Sequence, residues 1–195
     1  MTRKAYENIK EIINPEHTAL IVWDVQTMLV ERIYNKDEFL SNMNRLIAKA
    51  REKNMPIFFT KITPLPHEFE SPARKYASSR MKYNLSQLPK EAFELAIIPK
   101  ENEVVLNKNT ASVFIGTNFE LMARNAGIET LVIAGISTEV GVESSARDAV
   151  NRGFYTIVAS DSSSSTDKEA HQRSLLNMAK LFDVVTTAEL IKYLS

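Results

Sequence analysis

The chain has 195 residues, of which 44% are hydrophobic and 25% are charged, a balance typical of a soluble globular protein with one domain over residues 1–195. The 24 Lys and Arg residues equal the 24 Asp and Glu residues in number, so the formal net charge is zero and no nucleic-acid partner is expected. The chain contains no Cys, which excludes disulfides, thiolate metal sites and thiol catalysis.

The first segments of the chain argue against a membrane location. The apolar run from Ala19 to Trp23 stops at Asp24, far short of the roughly 20 residues needed to span a bilayer. The N-terminus lacks the apolar stretch of a signal peptide. We therefore expect a cytoplasmic protein with no membrane partner.

Short β-rich runs alternate along the chain with segments of helical periodicity. Six runs predict strands, at residues 20–25, 56–62, 104–107, 130–136, 155–160 and 183–186. Helical patterns cover residues 37–53, 117–125, 142–151 and 167–181. This alternation predicts an α/β fold with a parallel sheet covered by helices on both faces.

The least regular region, residues 63–100, holds five of the seven prolines. It also contains four aromatic residues that could be buried: Phe69, Tyr76, Tyr83 and Phe93. We therefore predict that this region is a functional loop with short helices.

Polar residues follow several of the predicted strands. Asp24 ends the first strand, Lys108 follows the third, and residues 135–141 join the fourth strand to its helix. Ligands of open α/β sheets bind outside the carboxyl ends of the strands, so these positions are candidates for a site. Taken singly, such an Asp is more often a turn or cap residue, and such a Lys is more often a solvated surface charge.

Three segments together carry a more specific pattern. Residues 18–26 read TALIVWDVQ, residues 107–114 read NKNTASVF, and residues 134–149 read AGISTEVGVESSARDA. They resemble the signatures of the isochorismatase-like, or cysteine hydrolase, family over about residues 18–187. The family has a catalytic triad of Asp, Lys and Cys, so the resemblance implies catalytic roles for Asp24 and Lys108 and places Gly141 at the position of the missing Cys.

The resemblance also implies the architecture of the site. It predicts a three-layer, doubly wound sandwich whose six-stranded parallel sheet has the order 3-2-1-4-5-6. A cis peptide bond is expected between Ile136 and Ser137. Substrate contacts are expected from five residues: Gln26, Ile136, Ser137, Thr138 and Val140. Gln26 could instead brace Asp24, and Thr138 could instead cap the helix. Family members are commonly homo-oligomers, which predicts a dimer or tetramer.

Isochorismatases are family members with Gly in place of the Cys, and they cleave a vinyl ether to release pyruvate. An Asp with a pKa raised by burial can serve such a reaction as general acid, without a nucleophile. Isochorismatases have Tyr at the positions of Ala111 and Ser137, which disfavours isochorismate itself. We therefore expect a hydrolase without a covalent step, acting on isochorismate or a related small anionic molecule.

The alternative is a catalytically silent member that serves as a binding or assembly protein. A third possibility is amide hydrolysis by water that Asp24 activates. It is the least favoured of the three, because without a nucleophile or a metal the barrier to amide hydrolysis is too high. Ser144 and Ser145 lack a neighbouring histidine base, which disfavours a serine nucleophile. The spacing of the three histidines, His17, His67 and His171, does not fit a metal site. We therefore predict no metal and no cofactor.

Overall fold

The computed structural model describes residues 6–80 and 88–195. Six strands form its centre: β1 (Thr18–Trp23), β2 (Ile57–Ile62), β3 (Val104–Lys108), β4 (Thr130–Ile136), β5 (Tyr155–Ser164) and β6 (Asp183–Val185). The α-helices are α1 (Ile9–Ile12), α2 (Thr27–Val30), α3 (Lys36–Glu52), α4 (Pro72–Arg80), α5 (Phe119–Asn125), α6 (Glu143–Asn151), α7 (Lys168–Met178) and α8 (Thr187–Tyr193). Short 3-10 turns cover Pro15–His17, His67–Phe69 and Lys90–Phe93, and a π-helical turn covers Thr138–Val142.

All strand pairs in the sheet are parallel, and the order is β3-β2-β1-β4-β5-β6. The predicted fold class and strand order are confirmed. The order reverses between β1 and β4, the point at which α/β sheets open a crevice for ligands. Trp23 pairs with Gly135, which pairs with Ser163, so β1, β4 and β5 end at the same level.

The sheet carries an apolar core on each face, because its central strands are apolar on both sides. On one face, Leu20 and Val22 belong to a buried cluster with Phe39 and Met43 of α3. On the other face, Ile21 and Trp23 belong to a cluster with the following helical residues: Phe119 of α5, Ala146 of α6 and Met178 of α7. Alternation along β1 thus directs Trp23 toward the layer that contains α6 and the turn before it.

Three local predictions differ from the structure. β5 runs four residues further than predicted, to Ser164, because a register shift opposite β4 brings the serine run into the sheet. The spacing of Thr117 and Glu120 in the sequence predicts a capping box at the start of α5, but none forms, since the Glu120 carboxylate binds Arg152 at 2.7 Å. The helix predicted to begin at residue 142 is preceded by a π-helical turn over Thr138–Val142, so helical structure begins four residues earlier than predicted.

The 63–100 region contains short helices, as predicted, but its aromatic residues are not generally buried. Phe69 is 76% exposed and Tyr76 is 68% exposed, while Phe93 is half-buried. Tyr83 lies outside the described residues. None of the described helices is long and apolar enough to cross a membrane.

Candidate active site

The carboxylate of Asp24 and the ammonium of Lys108 meet at the carboxyl ends of their strands. Asp24 follows β1 directly, and Lys108 ends β3, which lies two strands away in the sheet. Lys108 Nζ is 2.5 Å from Asp24 Oδ2. Asp24 is 4% exposed and Lys108 is 1% exposed. The fold therefore brings these two predicted catalytic residues together as a buried ion pair.

The intervening strand β2 orients the carboxylate through Thr60. Its hydroxyl donates to Asp24 Oδ1 at 2.6 Å and accepts the backbone N–H of Asp24 at 3.0 Å. Asp24 has a φ of +46°, in the left-handed region that Asp enters more readily than most residues. Thr60 is not among the site residues predicted from the sequence, where its only signal is a hydroxyl in an otherwise apolar part of its strand.

Burial moves the two pKa values of the ion pair toward each other. Desolvation raises the pKa of Asp24 above its ordinary value of 3.8, although Lys108 and the hydrogen bond from Thr60 act in the opposite direction. Desolvation also lowers the pKa of Lys108 below 10.5, against the attraction of Asp24. The neutral acid form of Asp24 is therefore more accessible than it would be in water, which suits a proton donor.

The space beside Gly141 is occupied by the aromatic ring of Trp23. A Cβ added to Gly141 would lie 1.7 Å from Nε1 and 2.2 Å from Cε2 of Trp23, far inside van der Waals contact. The Trp23 ring also faces the ammonium of Lys108, whose Nζ is 3.9 Å from a ring centroid. Trp23 is thus the physical link between Gly141 and the ion pair.

The turn that follows β4 holds its backbone tightly. The carbonyl of Ser137 accepts three N–H groups, at 3.3, 3.0 and 3.2 Å, from Val140, Gly141 and Val142 in that order. The peptide bond between Ile136 and Ser137 is cis. Ser137 and Val140 are half-buried, so they are the more accessible of the predicted substrate-binding residues in this turn.

The other predicted binding residues are engaged within the protein. The Gln26 amide accepts the N–H of Ile62 at 2.9 Å and donates to the carbonyls of Ile62 and Phe93, at 3.2 and 2.7 Å. Gln26 therefore braces the ends of β1 and β2. The Ile136 side chain lies in the core at 1% exposure, and Thr138 is fully buried.

Hydrogen bonds to α6 hold the segment after Lys108. Ser112 Oγ donates to Asp148 Oδ2 of α6 at 2.5 Å, and the N–H of Val113 donates to Ser145 Oγ at 3.3 Å. Two motifs that the sequence shows 36 residues apart are thereby joined. The Ser145 hydroxyl therefore has a structural role, as the acceptor of the Val113 N–H.

No group of three or more His, Cys, Asp or Glu side chains suited to a metal ion occurs within residues 6–80 and 88–195. The Nδ1 atom of His171 instead lies 2.7 Å from Thr138 Oγ1.

Comparison with known proteins decides the family. The sequence profile of the isochorismatase domain matches residues 18–189, almost the whole chain. The chain belongs to the isochorismatase family. The resemblance seen in the sequence motifs is thus confirmed, and the protein is an isochorismatase-family hydrolase by descent.

Several relatives have known names. The chain is 30% identical to an uncharacterized isochorismatase family protein of Escherichia coli O157:H7, over 84% of this chain and 88% of the relative. It is 33% identical to a maleamate amidohydrolase of Pseudomonas putida, over 76% of this chain and 71% of that protein. An N-carbamoylsarcosine amidase of Arthrobacter is 28% identical over 81% of this chain and 62% of its own length.

Solved structures share the architecture. A cysteine hydrolase from Pseudomonas syringae pv. phaseolicola superposes with a TM-score of 0.85 at 22% identity, covering 100% of this chain and 98% of its own. An isochorismatase family protein from Burkholderia thailandensis gives a TM-score of 0.78 at 25% identity, covering 93% and 97%. The chain therefore shares the fold of these solved structures.

Proposed function

We propose that this isochorismatase-family protein hydrolyses a small anionic molecule without a covalent intermediate, with Asp24 as general acid and Lys108 as its electrostatic partner. The observation that carries the proposal is the buried ion pair, whose Nζ to Oδ2 distance is 2.5 Å. Burial raises the pKa of Asp24, which equips this carboxyl to carry a proton without help from a thiol.

The chemistry that suits this pair is hydrolysis of a vinyl ether such as isochorismate. Asp24 protonates the enol-ether carbon, and the resulting oxocarbenium ion is attacked by water. The water returns its proton to Asp24, and the hemiketal collapses to pyruvate and an alcohol. Lys108 stabilises the Asp24 carboxylate while it lacks the proton.

An anionic substrate fits both the charges and the relatives. The buried ammonium of Lys108 supplies positive charge at the candidate site. Ser137 and Val140 in the turn after β4 are half-buried. Maleamate and N-carbamoylsarcosine, the molecules named for two relatives, each carry a carboxylate. Gln26, Ile136 and Thr138 support these positions from within the protein.

One observation favours a second candidate function, a catalytically silent protein that binds a ligand or assembles with other copies. Trp23 and Lys108 are each 1% exposed, and the indole occupies the space beside Gly141 where the family carries its thiol. A site closed in this way would retain the ion pair for stability alone.

The deciding experiment measures pyruvate release from isochorismate by the purified protein, with maleamate hydrolysis assayed in parallel. We expect release that falls by about 100-fold or more in Asp24→Asn, because a general acid contributes on that order. Release should also fall in Lys108→Met, because that variant lacks the cation that stabilises the Asp24 carboxylate. The exposed Asp37→Asn is the matched control and should retain full activity. Circular dichroism of each variant separates loss of chemistry from loss of folding.

If folded wild-type protein releases no more pyruvate than the two variants, the vinyl-ether reaction is excluded. Maleamate turnover that survives Asp24→Asn would exclude Asp24 as the acid. Absence of turnover with both substrates would leave the silent protein as the better explanation.

A further inference from the structure

Trp23 is the only tryptophan in the chain, and it lies against the residue that replaces the nucleophile. The indole atoms Nε1, Cε2 and Cδ1 would be 1.7, 2.2 and 2.7 Å from a Cβ at position 141. Any residue larger than Gly would therefore displace the ring. Gly141 does not have the positive φ of the other four glycines, so space and not backbone conformation accounts for glycine here.

The ring has little freedom to move aside. Trp23 is 1% exposed and belongs to the apolar cluster that contains Val142 and Ala146, the residues that follow Gly141. The Lys108 ammonium also faces the ring, with Nζ 3.9 Å from the ring centroid. Protein interiors are packed densely enough that a shift of this ring would disturb both neighbours.

We propose that Trp23 is a specificity-determining residue that fills the volume of the absent thiol and restricts the site to reactions that form no covalent bond at position 141. A substrate carbon bonded to a nucleophile at residue 141 would have to occupy the space of the indole. The loss of amide chemistry therefore depends on two residues, Trp23 and Gly141. Returning a Cys to position 141 alone does not recreate the thiol site.

This inference deepens the proposed function by limiting its substrates to those that react without acylation. Its tests measure stability and thiol reactivity, and neither depends on turnover. Failure of the proposed vinyl-ether reaction would leave them unaffected.

The first test compares Gly141→Ala in the wild-type and Trp23→Val backgrounds by thermal unfolding. Replacement of Gly by Ala inside a helix ordinarily raises stability. We expect the opposite beside Trp23, a fall in Tm of about 4 °C or more, because the added methyl group meets the ring. In the Trp23→Val background the same substitution should raise Tm.

Gly153→Ala is the matched control. Its φ is +77° and no atom lies within 4 Å of an added Cβ, so the cost is confined to the backbone and should be equal in both backgrounds. Trp23→Leu provides a second background that retains more apolar volume if Trp23→Val does not fold. An equal effect of Gly141→Ala with and without Trp23 would overturn the proposal.

The second test places Cys at position 141, where it is the only thiol in the chain and labelling with iodoacetamide is unambiguous. We expect labelling at pH 7 to be at least about tenfold faster in Trp23→Leu/Gly141→Cys than in Gly141→Cys, because thiol reactivity follows access and local charge. Equal labelling rates of the two folded variants would show that the indole does not occupy the thiol position.

Discussion

Asp24 and Lys108 are each unfavourable to bury alone, and each is stabilised mainly by the other. Removing one partner of a buried ion pair leaves an uncompensated charge, which costs about 3–5 kcal/mol, whereas replacing both partners with neutral groups is often tolerated. Both side chains of the Asp24–Lys108 pair are at most 5% exposed. Burial of this degree makes the loss of one partner much more costly than the replacement of both.

We therefore predict strong coupling in the free energy of unfolding. Asp24→Asn and Lys108→Met should each lower it by about 3 kcal/mol or more, and the double variant should lose much less than the sum. Urea denaturation of the four proteins gives the coupling energy. The exposed pair Lys36 and Glu31, at 2.6 Å, is the control and should couple by about 1 kcal/mol or less. Additive losses at the buried pair would contradict the prediction.

At the scale of elements, the turn at Thr138–Val142 is connected to its neighbours through buried polar side chains. Thr138 Oγ1 lies within hydrogen-bond distance of the Ser164 carbonyl of β5, at 3.1 Å, and of Nδ1 of His171 in α7, at 2.7 Å. Ser112 and Asp148 make the corresponding connection between the segment after β3 and α6. These contacts fix the positions at which the carboxyl ends of the strands meet the helices.

The link to α7 predicts a pH dependence of stability. Burial lowers the pKa of His171 below 6.5, so the folded state favours the neutral ring and its contribution to stability is complete above pH 6.5. As the pH falls through the lowered pKa, that contribution is lost, by about 1.4 kcal/mol for each unit of lowering. Urea unfolding between pH 7.5 and 5 should show a smaller decline for His171→Gln than for the wild type. Equal declines would contradict the assignment.

The link to α6 predicts the effect of Ser112→Ala. The substitution removes the donor to Asp148 and the acceptor for the N–H of Phe114, so we expect a loss of about 1–3 kcal/mol in the free energy of unfolding. Ser144→Ala on the same helix is the control and should change stability by about 0.5 kcal/mol or less. Comparable losses for the two variants would argue against a specific role for the Ser112 hydroxyl.

At the scale of the whole molecule, the order of the strands brings distant segments to one edge of the sheet. Asp24 and the turn to Gly141 follow β1 and β4, between which the order reverses. Lys108 reaches Asp24 from the end of β3, two strands away from β1. Large apolar side chains remain exposed elsewhere, among them Leu121 of α5 and Leu176 of α7, at 63% and 69%. Exposed apolar surface of this kind can be covered by another copy of the chain.

We predict that the protein is a homo-oligomer. Sedimentation equilibrium should give a mass of at least twice the 22.1 kDa of the chain, at micromolar concentration. A mass of 22.1 kDa over that range would contradict the prediction.

The sequence by itself determined the strands, their parallel arrangement, the family and the candidate pair of Asp24 and Lys108. It did so because apolar periodicity and the three motifs are local properties of the chain. Only the tertiary structure decided that Gln26 braces two strand ends, that Thr60 orients Asp24 and that Trp23 fills the space beside Gly141. Each depends on groups that are far apart in sequence, and no local pattern records which side chain occupies the volume that a distant glycine leaves free.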